Sequence, residues 1–106
     1  MRHFSPKQLK EHLEQADAAP LLLDVREPWE HQVCRIEGAT LVPMRQIPRA
    51  VGELDSERDI VVICHHGVRS RQVGFFLERA GFDNVINLDG GVDAWAREVD
   101  PQMPTY

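Results

Sequence analysis

Between Ile60 and Ala80 the apolar residues change period, and that change constrains the fold more than any other feature of the chain. Ile60-Val61-Val62-Ile63 is a continuous β-branched run, the pattern of a short strand buried on both faces. It breaks into Cys64-His65-His66-Gly67, a polar turn containing a glycine. From there the apolar residues return as Val73, Phe76, Leu77 and Ala80, the i, i+3, i+4, i+7 spacing of one helical face. This places Cys64 at the carboxyl end of a buried strand, on a tight loop that runs into a helix. Open α/β sheets put their ligands at that point.

The rest of the chain repeats the alternation. Ser5-Pro6-Lys7-Gln8 reads as a helix start: Ser5 is the N-cap, Pro6 takes the first helical position and Gln8 completes a capping box. Phe4 and Leu9 hold the two positions of a hydrophobic staple, and the helix is expected to run to about Ala16 with Leu9 and Leu13 facing inward. Leu21-Leu22-Leu23 reads as a central strand and Asp24-Val25-Arg26 as the turn at its end. Pro28 to Gly38 has no clean period and is read as a short helical or irregular excursion, with Trp29 either covering apolar surface there, the favoured role, or flanking the site entrance. A short strand is expected from Ala39 to Val42, ended by Pro43, then a short helix from Ile47 to Leu54 and an exposed turn from Asp55 to Asp59. After a helix over Ser70 to Ala80, Gly81 is the expected cap, with Phe82 as its apolar companion. Val85 to Leu88 predicts another buried strand, Gly90-Gly91 a turn, and Val92 to Glu98 a last helix packed through Trp95; the residues after Asp100 are expected to be irregular. Strands alternating with helices predict an α/β fold, a mostly parallel sheet of about four to five strands with helices on both faces.

The chemistry gathers at the period change. No acidic residue occurs from Ile60 through Leu77, whereas His65, His66, Arg69 and Arg71 do, although the chain as a whole carries a net charge of -5. Amides of the loop and of the first helical turn lack intrahelical partners, so they can form a nest for an anion. Such surroundings favour a thiolate at Cys64 and make it a nucleophile. A buried structural thiol, the alternative, leaves the glycine, the arginine and the missing acids unexplained. If the strand before Asp24 neighbours the strand before Cys64, their turns open on one edge; Asp24 and Arg26 then either brace the cysteine loop or merely stabilise their own turn. Cys34 acts as a resolving thiol only if the fold brings it to Cys64, which spacing leaves open. Adjacent histidine rings are poorly placed to share a tetrahedral ion and there is no Cys-x-x-Cys pair, so no metal or other cofactor is expected.

At 106 residues the chain has the length of one domain over 1–106, and 42% hydrophobic with 27% charged residues is ordinary for a soluble globular protein. Its net negative charge argues against nucleic-acid binding, which leaves a basic footprint. No apolar run approaches the ~20 residues of a membrane span, and Met1-Arg2-His3-Phe4-Ser5-Pro6 does not begin as a signal peptide does. The expected compartment is the cytoplasm, where two cysteines remain free thiols.

Three segments together resemble the rhodanese-like sulfurtransferase family. Cys64-His65-His66-Gly67-Val68-Arg69-Ser70 is similar to its Cys-x-x-Gly-x-Arg active-site loop. Asp24-Val25-Arg26-Glu27 with Ile36-Glu37-Gly38-Ala39 resembles its early Asp-Val-Arg-Glu and Gly-His-Ile-Pro-Gly-Ala segments, with Cys34, Arg35 and Glu37 standing where the family often has Gly, His and Pro. Gly90-Gly91-Val92-Asp93-Ala94-Trp95 looks like its Gly-Gly-x-x-Ala-Trp motif. The resemblance implies a three-layer rhodanese-like fold and sulfur transfer through a Cys64 persulfide, from thiosulfate or a similar anionic donor to cyanide, a thiol or a sulfur-accepting protein. His65, His66, Gly67, Val68 and Arg69 then line the substrate loop, Arg69 attracts the donor, and Asp24, Arg26 and Ser70 support it. For His65 and His66 a merely solvated position stays open. Two other readings remain: a phosphatase or arsenate reductase of related fold, whose loop has five residues between Cys and Arg where this chain has four, and a non-catalytic binding module, which the presence of Cys64 disfavours.

Overall fold

The computed structural model describes all 106 residues. Five strands, β1 (Arg2–Phe4), β2 (Leu21–Asp24), β3 (Thr40–Leu41), β4 (Ile60–Ile63) and β5 (Val85–Leu88), form one sheet in the order β1-β5-β4-β2-β3. Every pairing is parallel, and Leu21 to Asp24 lie opposite Ile60 to Ile63, so the two turns predicted to share an edge do share it. Five helices complete the fold: α1 (Pro6–Gln15), α2 (Pro28–Val33), α3 (Ile47–Ala50), α4 (Val68–Arg79) and α5 (Gly91–Glu98).

Alternation along β4 divides the core. Val61 and Ile63 point into one layer with Leu9, Ile86, Leu88, Val92 and Trp95, under α1 and α5. Ile60, Val62 and Cys64 point into the other with Ile47, Val73 and Leu77, under α3 and α4. The local signals hold where the backbone needed them. Ser5 and Gln8 exchange both capping-box hydrogen bonds, at 3.2 and 2.8 Å. At the end of α4 the Phe82 and Gly81 amides donate to Leu77 and Glu78 carbonyls, with Gly81 at φ +100° and Phe82 buried, a Schellman termination.

Several expectations are corrected. β1 carries no usable pattern in its three residues and exists because it adds to the edge of β5. Leu13 is 36% exposed and Trp29 58%, so neither packs in the core as expected. The buried face of α4 is Ser70, Val73, Gly74 and Leu77; Phe76 and Ala80 lie outside it, because the helix starts at Val68 and its inward stripe is set by small residues against the sheet. Residues 47–54 are not a continuous helix: the α-turn Ile47–Ala50, with Pro48 in its first turn, runs into a 3-10 turn, Val51–Glu53, which contains Gly52. Gly91 begins α5 instead of ending the preceding turn.

Gly91 joins the fold to the site. Its φ is +59°, and a Cβ there would lie 2.3 Å from the Cys64 carbonyl oxygen and 2.5 Å from that of His65. Those carbonyls accept the Val92 and Asp93 amides at 2.9 and 3.1 Å, so the start of α5 is hydrogen-bonded to the exit of β4. Gly81 also has a positive φ, +100°, but open space around it. Gly81→Ala is therefore expected to cost only backbone strain, about 1 kcal/mol. Gly91→Ala adds a backbone clash and is expected to cost about 3 kcal/mol, a Tm loss of roughly 10 °C or more in thermal unfolding. Equal losses in the two variants would show that the close approach is not a constraint.

Candidate active site

Cys64 leaves β4 with its side chain in the α4 layer, 2% exposed. Its Sγ accepts the Gly67 N–H at 3.0 Å and donates to Ser70 Oγ at 3.3 Å, and Ser70 Oγ in turn donates to Asn87 Oδ1 on β5. Gly67, at φ +101°, makes this turn possible, because a Cβ there would press on the Gly90 amide at 3.1 Å. The amides of His65, His66, Val68, Arg69 and Ser70 have no acceptor within the protein. Beside the Gly67 N–H on the sulfur, the loop therefore carries five amides that are still free to bond an anion, which is what a nest requires.

The cations are placed differently from expectation. Arg69 points its guanidinium at Glu30 of α2, with two bonds of 2.8 Å to the two carboxylate oxygens, and does not sit as a free cation for a donor. That fork holds Glu30 down to about 2 and raises Arg69. Arg69 is still near enough for its charge to interact with Cys64. His65 stacks on Tyr106 with ring centroids 3.9 Å apart at 12°, and His66 lies on its other side at 3.9 Å. Burial first, and then His66, lower the His65 pKa below its ordinary 6.5, so its ring is neutral at pH 7. His66 is exposed, with Asp93 4.0 Å away. Donor atoms of His65, His66 and Asp93 lie within 4.8 Å of one another. The two imidazole planes are tilted by 30° to one another.

Asp24 and Arg26 do more than stabilise a turn, but what they brace is α2 and the chain end rather than the cysteine loop. Arg26 is fully buried: Nε and Nη2 fork onto Asp24 at 2.9 and 2.7 Å, Nη2 reaches the Cys34 carbonyl at 2.6 Å, and Nη1 reaches the Glu30 carbonyl at 3.3 Å and Tyr106 Oη at 2.9 Å. His31 adds a 2.8 Å contact to Asp24. Burial works against the Asp24 carboxylate, yet the bonds from Arg26 and His31 outweigh it and lower its pKa. Tyr106 Oη donates to Glu30 at 2.8 Å, and burial pushes its pKa up to about 12. Cys34 lies in the α1/α5 layer, on the opposite face from Cys64; its Sγ meets Arg26 Nη1 at 3.8 Å, and both thiols are free.

Sequence reasoning missed three members of this site. Asn87 announced itself as the one polar residue in a four-residue buried strand. Glu30 had only its place in a capping box with Glu27, a surface role. Tyr106 had no signal, since its hydrogen bonds reach residues 76 and 80 positions away and its stack on His65 is also long-range.

A model of the rhodanese-like domain matches residues 5–98. The chain belongs to the rhodanese-like domain family. It is 32% identical to the thiosulfate sulfurtransferase GlpE of Shewanella oneidensis, over 89% of this chain and 91% of that one. A match of 40% identity over 80% of the chain is to the chloroplastic rhodanese-like/PpiC domain-containing protein 12 of Arabidopsis thaliana. There the chain spans only 30% of the relative's length. Among solved structures, a rhodanese-like domain protein of Staphylococcus aureus superposes with a TM-score of 0.85 at 29% identity, covering 100% of this chain and 99% of that one. No helix is long and apolar enough to cross a membrane.

The Glu30–Arg69 fork predicts how this rhodanese-like domain responds to acid. A carboxyl held near 2 against an ordinary 4.5 contributes stability that is complete above about 4.5 and is lost as pH falls towards 2. Glu30→Gln is expected to cost about 2 kcal/mol at pH 7. Thermal unfolding of both proteins should show a constant Tm gap from pH 5 to 7 that closes below about pH 4; a gap that persists undiminished towards pH 2 would assign the loss to packing instead. Tyr106→Phe, which keeps the stack on His65 and removes one partner of buried Arg26, is expected to cost about 1–2 kcal/mol by the same measurement.

Proposed function

We propose that the protein is a sulfurtransferase that carries sulfur as a persulfide on Cys64. One observation supports this best: the Cys64 sulfur lies under the Gly67 amide and the Ser70 hydroxyl, in a loop whose other amides are unpartnered. The Cys64 thiolate attacks the outer sulfur of thiosulfate, the sulfur–sulfur bond of the donor breaks, and sulfite leaves with the electron pair. The loop then holds a Cys64–S–S⁻ group, whose terminal charge the open N–H groups solvate, an electrostatic stabilisation with no net charge spent. Cyanide or a thiolate attacks that terminal sulfur, and the Cys64 thiolate is released. No external oxidant or reductant enters the balance.

Ser70 has one hydroxyl proton, so it either donates to Asn87 while Cys64 is protonated or turns to the sulfur when Cys64 is a thiolate. This gives it a supporting role close to the reacting atom. Arg69, fixed on Glu30, keeps the loop closed against α2 and adds a positive field without contacting the donor. A phosphatase reading draws no support from an arginine so engaged, with four residues between it and the cysteine instead of five. Residues 1–106 act as one domain in this proposal, in a reducing cytoplasm consistent with two cysteines that form no disulfide.

Intact mass spectrometry tests it. Thiosulfate is expected to add one sulfur atom to the wild type and to Cys34→Ser, cyanide to remove it, and Cys64→Ala to gain none. An unchanged wild-type mass, or a gain that survives Cys64→Ala, overturns the proposal.

A further inference from the structure

The outer face of α4 begins one residue beyond the glycine whose amide holds the Cys64 sulfur, and it is apolar. Val68 is 54% exposed, Phe75 50% and Phe76 39%, while the helix's buried stripe is complete without them. Beside Phe76 a groove of about 140 Å³ runs between α4 and the turn holding Met44, Ile47 and Pro48. A groove-lined aromatic face of this kind marks an interaction site.

Charge says what fits it. The stretches 44–50 and 68–79 carry Arg45, Arg49, Arg69, Arg71 and Arg79 against a single acid, Glu78, on a chain of net charge -5. Glu78 is itself taken by the N-terminal ammonium at 2.7 Å, Arg45 pairs with Glu27 and Arg69 with Glu30, and Arg49, Arg71 and Arg79 make no ion pair. A second copy of this chain would set arginines against arginines across a two-fold contact, which like-charge repulsion opposes.

We propose that this face docks an acidic, apolar segment of a protein whose thiol takes the sulfur from Cys64. The inference rests on the sulfurtransferase reading for the transfer, though not for the docking. In the transfer the partner's thiolate attacks the terminal sulfur of the Cys64 persulfide, the sulfur–sulfur bond breaks, and Cys64 leaves as a thiolate. Apolar side chains of the segment enter the groove at Phe76, and its carboxylates meet Arg49 and Arg79.

The test uses a peptide of Glu, Leu and Phe ending in Cys, its counterpart with Lys in place of Glu, and versions of both ending in Ser. Binding of the Ser peptides, read by fluorescence anisotropy, reports docking alone. Sulfur transfer from thiosulfate-loaded protein to the Cys peptides reports the combined step. At low salt the acidic peptide is expected to bind and to accept sulfur about tenfold better than the basic one, with the ratio falling towards one as salt screens the contact. The double variant Arg49→Glu/Arg79→Glu should reverse the preference, and Phe75→Ser should weaken the acidic peptide, while thiosulfate:cyanide turnover stays at the wild-type level in both. Equal binding of the two Ser peptides overturns the docking proposal, as does a preference that survives the charge reversal. Sedimentation with anionic vesicles that the Arg variant abolishes, or a dimer that Phe75→Ser dissolves, overturns it in favour of a membrane or a second copy. Failure to load sulfur at all, with acidic-peptide binding intact, overturns the sulfurtransferase reading and leaves the docking.

Discussion

A guanidinium with no exposure to water has to find all its partners inside the protein, and Arg26 is in that position. Its partners come from three separate parts of the chain: Asp24 at the end of β2, the carbonyls of Glu30 and Cys34 along α2, and the hydroxyl of Tyr106. A short helix of six residues with an exposed Trp29 has little apolar reason to stay where it is. The buried cation supplies that reason. Once α2 is fixed, Glu30 is presented to Arg69 and to Tyr106, and Tyr106 is presented to His65. The two walls of the cysteine loop thus depend on a charge that does not touch the loop.

The middle of the sheet was readable because β2, β4 and β5 are buried on both faces and show as mainly apolar runs, and because glycine and proline punctuate the chain between them. Ser5, Gly81 and Gly67 act locally, through the backbone next to them, and local effects leave local signatures. Arg26 and Arg69 were legible as residues of interest but not in their roles, since Arg26 depends on Tyr106 and on carbonyls along α2, and Arg69 on Glu30, a residue whose sequence context is that of an exposed helix start. Leu13, Trp29 and Phe76 show the reverse failure. Hydrophobicity alone put them inside, and the layer had already been filled by smaller residues such as Ala94, Ala96, Ser70 and Gly74. Tyr106 and β1 depend wholly on distant partners, and no window along the chain contains both sides of such a contact.

The pinning of β4 to the start of α5 gives the loop its rigidity. Cys64 and His65 surrender their carbonyls to Val92 and Asp93, so the Gly-Gly segment works as a backplate for the cysteine turn. This is a physical reason for a glycine pair to sit far from the cysteine in sequence while belonging to the same site.

The direct contacts to the sulfur are dipolar, an amide and a hydroxyl, and the charge of Arg69 reaches it only through the field of its pair with Glu30. Dipole fields decay within a few ångströms, whereas the unpaired arginines outside act over a Debye length of about 10 Å. On the proposed reading, the molecule separates recognition at a distance from stabilisation at contact. The interior would hold its cargo almost indifferently to the ionic composition of the medium, and only the choice of recipient would respond to it.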